Sequence, residues 1–248
     1  MSGDRVLILG ATSAIAAEVA RGFAARGGRL FLVGRNRDKL AGVQQAVGPA
    51  VIATATADFN DTGRAPQLID EAFAALGGVD VALIAHGLLG DQLATERDFS
   101  DAEAVLRTNF LSVVALLVPL GNRMEAQGRG HIAVLSSVAG DRGRPRNYTY
   151  GAAKGALNVY LQGLRTRLWP SGVRVHTIKL GPVATPMTAT HRKHALFARP
   201  ADAAAEIIAV IDRGQAEAYV PRYWRPIMSV VRNLPEAVLQ KLSFLSGR

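Results

Sequence analysis

The chain has 248 residues, of which 49% are hydrophobic and 20% are charged, and it contains no cysteine. This composition supports a sizeable core and argues against disorder, while the lack of cysteine excludes disulfide scaffolds, thiolate zinc sites and cysteine nucleophiles. The formal net charge of +9 points to anionic partners, but the basic residues are dispersed rather than gathered into an arm, so we expect a phosphorylated ligand or an anionic membrane surface and no nucleic acid.

No targeting or membrane-spanning segment is predicted. The first five residues lead directly into an apolar strand, without the basic and apolar regions of a signal peptide. The longest apolar stretch, residues 111–120, is too short to span a bilayer. We therefore expect a cytoplasmic protein.

Short apolar runs alternate along the chain with longer segments of helical periodicity. The runs that we predict as strands are Val6–Leu9, Leu30–Val33, Ala50–Thr54, Val79–Ile84, His131–Leu135, Val173–Ile178 and Ala218–Pro221. Strands that are apolar throughout and alternate with helices indicate a parallel sheet covered on both faces. We therefore predict an α/β fold, with one doubly wound domain over residues 1–221 and an amphipathic helical tail over residues 222–248.

The first strand leads into a candidate phosphate-binding loop. Its candidate cofactor-binding residues are Gly10, Thr12, Ser13, Ala14 and Ile15. In a βαβ unit, a pyrophosphate binds at the helix N-terminus that follows such a loop. Only the first glycine of the usual G-x-x-x-G-x-G pattern is present, because alanine stands at the other two positions. Alanine still permits close approach of a ligand, and the two hydroxyl groups can donate to phosphate oxygens; an ordinary strand-to-helix turn is the alternative.

The second and third strands end in residues suited to an adenosine moiety. Arg35 follows the second strand, and no carboxylate stands there. An acidic residue at this position binds a free ribose 2′-hydroxyl, whereas an arginine accommodates a 2′-phosphate. We therefore predict NADP(H) rather than NAD(H), the alternative being a solvated surface arginine. Asp58 and Phe59 follow the third strand, and the carboxylate could accept from the adenine amino group.

Candidate catalytic groups lie in the second half of the chain. Tyr150 and Lys154 are spaced to lie one turn apart on one face of the predicted helix Tyr150–Trp169. Because an ammonium favours the phenolate, we expect Lys154 to lower the pKa of Tyr150 from its usual value of about 10, which would allow acid–base chemistry nearer neutral pH. A chance pair on an exposed face is the alternative.

Two further polar residues are candidates for the same site. Ser137 closes the fifth strand, at the edge of a parallel sheet where ligands bind, and its hydroxyl could donate to a substrate oxygen. Asn109 lies within a helical segment, where asparagine is mildly unfavourable, so it indicates either a functional role or a helix kink. Gly181, Val183 and Thr185 follow the sixth strand and could present backbone and a hydroxyl to a nicotinamide amide.

These pieces together resemble the short-chain dehydrogenase/reductase family. The resemblance covers residues 5–221 and rests, in this order, on Gly10–Ala16, Asp58, Thr108–Phe110, Ser136–Gly140, the Tyr150 and Lys154 pair, and Gly181–Thr185. It implies a Rossmann-type sheet of about seven strands, hydride transfer with a nicotinamide cofactor, no metal, and a homodimer or homotetramer. It also implies roles: Tyr150 is the acid–base group, and Ser137 orients the substrate oxygen. Lys154 binds the nicotinamide ribose, and Asn109 holds a proton-relay water.

The chain departs from this family's pattern after the fourth strand. The usual Asn-Asn-Ala-Gly is replaced by Ile84-Ala85-His86-Gly87. We keep Ala85 and Gly87 as candidate cofactor-binding residues, and we interpret His86 as a structural substitute rather than a catalytic group.

Two segments of the sequence, the loop after the sixth strand and the tail, give information about the substrate. Residues 186–200, which cover the substrate in the resembled family, combine apolar and basic groups, including the basic cluster 191–194. In the tail, Ile227, Val230, Val231 and Leu234 have helical spacing, and Pro235 should divide the segment into two short helices. Such a tail could lie in a membrane interface, pack on a partner subunit or close the pocket.

Within the family, the loop Gly10–Ala16, the run Ser137–Arg144 and the tail are similar to those of a branch of reductases that act on decaprenylphosphoryl-2-keto-erythro-pentose, a lipid-linked sugar. We therefore predict NADPH-dependent reduction of an amphiphilic, lipid-linked ketone by a cytoplasmic enzyme in peripheral contact with the inner membrane surface. The alternatives are reduction of another apolar ketone, such as a 3-oxoacyl chain, a long-chain base or a steroid, and a non-catalytic NADP-binding interaction protein.

Overall fold

The computed structural model describes residues 3–189 and 195–241. The strands are β1 (Arg5–Leu9), β2 (Arg29–Gly34), β3 (Val51–Thr56), β4 (Val81–Ile84), β5 (Gly130–Ser137), β6 (Val173–Leu180) and β7 (Glu217–Val220). The helices are α1 (Ala14–Ala25), α2 (Arg37–Val47), α3 (Ala65–Leu76), α4 (Gln92–Thr95), α5 (Phe99–Leu106), α6 (Ser112–Gln127), α7 (Tyr148–Leu168), α8 (Pro200–Asp212), α9 (Trp224–Asn233) and α10 (Glu236–Lys241). The predicted basic cluster 191–194 and the end of the tail, residues 242–248, lie outside the described residues.

The seven strands form one parallel sheet in the order β3-β2-β1-β4-β5-β6-β7. Successive residues of β1 enter cores on opposite faces: Leu7 and Leu9 pack with α3, α6 and α7, while Val6 and Ile8 pack with α1 and α8. Both faces are therefore covered, which explains why the strands are apolar throughout. The predicted doubly wound α/β fold with seven parallel strands is confirmed.

The sheet reverses its direction of growth between β1 and β4. The chain builds β2 and β3 on one side of β1 and then crosses to place β4 on the other side. Loops that leave the carboxyl ends of these two strands diverge, and ligands of open α/β sheets bind in the resulting crevice. This edge is where the candidate residues after the strands should meet.

Strands β5 and β6 each continue two residues beyond the end of the apolar run predicted for them. β5 ends at Ser137 rather than Leu135, and β6 ends at Leu180 rather than Ile178. The ladder continues because Ser136 pairs with Lys179 and Ser137 with Leu180, and backbone hydrogen bonds do not require apolar side chains. Ser136 and Ser137 are thereby fixed at the end of β5.

The helical stretch Phe99–Gln127 is long and apolar enough to cross a membrane by length and composition alone. Its residues Val113, Leu116, Leu117 and Leu120 are buried in the core formed with α3 and α7. This packing is that of a core helix.

The tail forms the two predicted helices, α9 and α10, on either side of Pro235. Trp224, Met228 and Val231 are buried in a small cluster with Val138. The predicted apolar stripe is partly wrong, because Val230 is 63% exposed and the buried face begins at Trp224 instead. The helices thus pack on the segment that follows β5, while the division into a domain 1–221 and a tail 222–248 stays a prediction.

Replacing Trp224 with alanine tests whether the tail is a packing element. Because the indole is buried against Val138, we expect Trp224→Ala to lower the free energy of unfolding by about 3 kcal/mol in a denaturant titration. Val230→Ala on the same helix is the control and should change it by less than about 0.5 kcal/mol. Equal stabilities for the two variants would mean that the tail does not stabilise the fold.

Candidate active site

A cleft of about 370 Å³ opens at the carboxyl edge of the sheet where β1 and β4 diverge, a size typical of ligand pockets. Loops after five strands (β1, β2, β3, β4 and β6) and the start of α7 contribute to it. The predicted site residues that line it are Gly10, Thr12, Ser13, Ala14, Ile15, Arg35, Asp58, Phe59, Ala85, Gly87, Tyr150, Lys154 and Thr185. The topology therefore brings together residues that are far apart in the sequence.

Four predicted site residues are not part of the cleft wall among the described residues: Asn109, Ser137, Gly181 and Val183. Gly181 instead accommodates the tail, because a Cβ atom there would lie 2.1 Å from Nε1 of Trp224. Val183 is buried in the core beside α1 and α8 and forms a bridge with Ala198. Packing thus explains the placement of these two residues, and their role in presenting backbone to a nicotinamide stays a prediction.

The phosphate-binding loop needs its one glycine. Gly10 has a φ of +92°, and a Cβ atom there would lie 2.6 Å from the backbone nitrogen of His86. Ser13 precedes α1 as N-cap residue, yet its side chain makes no capping hydrogen bond. The Ser13 hydroxyl therefore stays available beside the positive end of a twelve-residue helix, an arrangement that suits an anion.

Two cations stand beside this loop in the cleft wall. Arg35 and Lys39 are both exposed there. Asn36 fixes the start of α2 by accepting a hydrogen bond from the backbone nitrogen of Lys39 at 2.8 Å. Sequence reasoning missed Lys39, although its position four residues after Arg35, in the first turn of the next helix, could have indicated it.

Lys154 and Tyr150 share one face of α7, as predicted, and Lys154 Nζ lies 5.8 Å from the centre of the Tyr150 ring. Nζ donates to the carbonyl of Leu135 at 3.0 Å, and burial lowers the pKa of Lys154 to about 8. Burial also raises the pKa of Tyr150 to about 12, although a side-chain hydrogen bond with Ser137 opposes the change. The pKa of Tyr150 is therefore raised by the loss of hydration on burial, and not lowered as the spacing to Lys154 had led us to expect.

Ser137 is held beside Tyr150 by the end of β5. Its hydroxyl oxygen accepts a hydrogen bond from the backbone nitrogen of Ala139 at 3.1 Å and so caps the short 3₁₀ turn Val138–Asp141. The hydrogen bond with Tyr150 joins it to the residues that line the cleft. Ser137 is thus connected to the cleft by its hydrogen bond with Tyr150, although it is not itself part of the cleft wall.

The turn after Ser137 is anchored by a buried charge cluster. Asp141 pairs with Lys179 Nζ at 2.7 Å and accepts from the Tyr219 hydroxyl at 2.7 Å. Lys179 also pairs with Glu217 at 2.8 Å, and the Asp141 and Lys179 side chains are 3% and 4% exposed. Breaking such a buried pair leaves an uncompensated charge, so the turn that carries Ser137 is firmly tied to β6 and β7.

Asn109 is fully buried in a π-helical turn, Arg107–Leu111, between α5 and α6. Its side-chain nitrogen donates to the carbonyls of Leu88 and Val105, at 2.6 and 2.8 Å, and its oxygen accepts from the Leu88 nitrogen at 3.2 Å. The side chain is therefore committed to holding the loop after β4. Its role in a proton relay stays a prediction.

This chain is similar to known proteins over most of its length. A family model described as short chain dehydrogenase matches residues 4–196. An uncharacterized oxidoreductase of Streptomyces coelicolor is 37% identical over 241 residues, which cover 96% of this chain and 95% of the relative. An uncharacterized oxidoreductase of Mycobacterium tuberculosis is 34% identical over 240 residues, 96% of each chain. These names state no substrate, so the branch that acts on a lipid-linked sugar stays a prediction.

Solved structures share the fold at low sequence identity. A short chain dehydrogenase from Burkholderia cenocepacia, determined in complex with NADP, has a TM-score of 0.84 at 20% identity and covers 97% of this chain and 98% of its own. A levodione reductase has a TM-score of 0.78 at 22% identity, with 88% of this chain and 95% of its own covered.

Replacing Gly10 with alanine tests the close approach of the loop to the β4 loop. Both the positive φ and the contact with His86 oppose a side chain, so we expect Gly10→Ala to destabilise the fold by about 3 kcal/mol or more. Gly48→Ala is the control, because Gly48 has a φ of +82° but open space around its Cβ position. If the two variants unfold at the same denaturant concentration, the contact with the β4 loop imposes no constraint.

Proposed function

The chain belongs to the short-chain dehydrogenase family, and on that premise we propose that this oxidoreductase reduces a ketone with NADPH. The observation that carries the proposal is one cleft with two chemically distinct ends. Tyr150 and Lys154 lie at one end, and Arg35 and Lys39 lie at the other. A dinucleotide with a phosphorylated ribose needs both kinds of end.

The described residues fit such a cofactor. The close approach at Gly10 and the uncapped start of α1 suit a pyrophosphate, and Arg35 with Lys39 suits a 2′-phosphate. The similarity in fold to a structure determined with NADP is consistent with this choice. When bound, the nicotinamide would supply a hydride to the carbonyl carbon of the substrate.

The chain's own groups would handle the proton. With a pKa of about 12, Tyr150 is protonated at neutral pH and can act as the acid that donates to the substrate oxygen, which favours the direction of reduction. The Ser137 hydroxyl, bonded to Tyr150, would orient that oxygen. The Lys154 ammonium would bind ribose hydroxyls and stabilise the phenolate that forms, and Asn109 would hold the loop that borders the site.

The substrate that we propose is an amphiphilic ketone. Leu88 and Met187 are exposed apolar residues in the cleft wall, and exposed apolar surface at a pocket indicates a partly apolar ligand. A ketone on a polyprenyl-phosphate-linked sugar also fits the net charge of +9. Peripheral membrane contact through the tail, a cytoplasmic location and a homodimer or homotetramer are parts of the same proposal.

The nucleotide preference depends on Arg35. In a fluorescence titration, we expect Arg35→Ala to weaken NADPH binding about tenfold or more while NADH binding changes little, because a charge-assisted contact to the 2′-phosphate is lost. Arg37→Ala, which removes a neighbouring exposed arginine outside the cleft wall, is the control. An equal preference for both nucleotides in the wild type would contradict the assignment of NADP(H).

The acid–base role depends on the Tyr150 hydroxyl. We expect Tyr150→Phe to lower kcat about 100-fold or more, with NADPH affinity within about threefold of the wild type, because only proton transfer is removed. Tyr148→Phe, at the exposed start of the same helix, should leave kcat unchanged. Unaltered turnover in Tyr150→Phe would falsify the mechanism, whereas NADPH binding without reduction of any amphiphilic ketone by the wild type would favour the non-catalytic alternative.

A further inference from the structure

His86 is a histidine in the cleft wall that the proposed reaction does not use. It lies on the loop after β4, where a small residue was expected. Its ring stacks on Phe59 with 4.3 Å between ring centres. The ring therefore stands between the loop after β3 and the residues around Lys154.

A chain of hydrogen bonds assigns the proton on this ring. The Ser112 hydroxyl donates its single proton to the carbonyl of Thr108 at 2.8 Å. The same oxygen lies 2.8 Å from His86 Nε2, where it can then act only as acceptor. Nε2 must therefore carry the ring proton, and Nδ1 is left as a bare acceptor.

This bare acceptor has no partner. Nδ1 of His86 is buried, and no hydrogen-bond partner lies within reach of it among the described residues. A buried polar atom without a partner costs free energy, so such an atom in a native site calls for an explanation. Burial and the charge of Lys154 lower the pKa of His86 to about 3, so the ring stays neutral and Nδ1 keeps its lone pair.

Lys154 is a donor near the main chain of the loop that carries His86, and it has N–H groups to spare. An ammonium has three N–H donors, and Lys154 Nζ is bonded to one carbonyl, that of Leu135. A Cβ atom at Gly87, the residue after His86, would lie 3.8 Å from Nζ. Nδ1 is the ring nitrogen adjacent to Cγ, on the side of the ring nearest that main chain.

We propose that His86 positions Lys154 by offering Nδ1 as the second acceptor of its ammonium group, the carbonyl of Leu135 being the first. The pairing requires a rotation about the last side-chain bonds of Lys154, because Nδ1 has no hydrogen-bond partner in the arrangement described above. Ser112 contributes to this arrangement, because its hydrogen bond with the His86 ring keeps the ring proton on Nε2. The inference rests on the proposed function only for its catalytic consequence, since the pairing itself is a property of the chain.

The consequence is control over the charge of Lys154. The ionisable groups that face it among the described residues are Tyr150 on its own helix and His86, and β5 contributes the carbonyl of Leu135. A neutral acceptor stabilises the ammonium and so opposes the effect of burial. Because the ammonium is present below its pKa and lost above it, removal of the acceptor should make activity decline at a lower pH.

Two isosteric substitutions separate the two ring nitrogens. In His86→Asn, an amide oxygen replaces the Nδ1 acceptor and the contact with Ser112 is lost. In His86→Gln, the contact with Ser112 is kept and the Nδ1 acceptor is lost. We expect His86→Gln to shift the alkaline limb of kcat/KM down by about 0.5 to 1 pH unit, and His86→Asn to retain the wild-type profile. If the alkaline limb shifted in His86→Asn and not in His86→Gln, the contact of His86 with Ser112 would be what matters, and the proposal would be overturned.

Nitrogen-15 NMR of the histidine rings tests the pairing without cofactor or turnover. The spectrum should show His86 protonated on Nε2 and bare on Nδ1 throughout the range from pH 5 to pH 9, with the resonance identified by its loss in His86→Gln. The Lys154 side-chain resonance should titrate at a lower pH in His86→Gln than in the wild type. A proton on Nδ1, or identical Lys154 titrations, would overturn the inference, and a positive result with no NADPH binding would instead refute the proposed function alone.

Discussion

The parallel sheet with both faces buried is the constraint on which the rest of the structure depends. Leu7 and Val6, neighbours on β1, enter cores on opposite faces, so no face of the central strands is left for polar chemistry. Functional groups can stand only where strands end, and the reversal between β1 and β4 opens a crevice at one edge. Residues from Gly10 to Thr185 meet in one cleft for this reason.

Burial governs the electrostatics of this cleft more than the pairing of charges does. Tyr150 and Lys154 both move toward their neutral forms, Tyr150 to a pKa of about 12 and Lys154 to about 8. His86 follows the same rule. In such a site the tyrosine is protonated at neutral pH. The charged form of the lysine depends on specific hydrogen-bond acceptors, such as the carbonyl of Leu135.

The end of the chain supports this site from behind. Trp224 fills the space that Gly181 leaves open and packs against Val138, the residue after Ser137. Arg142 pairs with Glu236 of α10 at 2.8 Å, and the buried Asp141 and Lys179 pair ties the same turn to β6 and β7. The tail and the charge cluster therefore hold the position of Ser137 from two sides, which relates packing far from the cleft to its geometry.

The amino-acid sequence by itself determined the order of strands and helices and most of the cleft residues, because apolar runs, helical spacing and motif order are local properties. Tyr150 with Lys154, Arg35 and the loop at Gly10, which the sequence singled out as candidates, line one cleft in the structure. Only the tertiary structure decided that Gly181 leaves space for the Trp224 ring and that the Asn109 side chain donates hydrogen bonds to the carbonyls of Leu88 and Val105. It also decided that burial raises the pKa of Tyr150. These outcomes depend on which distant residues exclude water or fill space around a group, and no spacing along the chain encodes that.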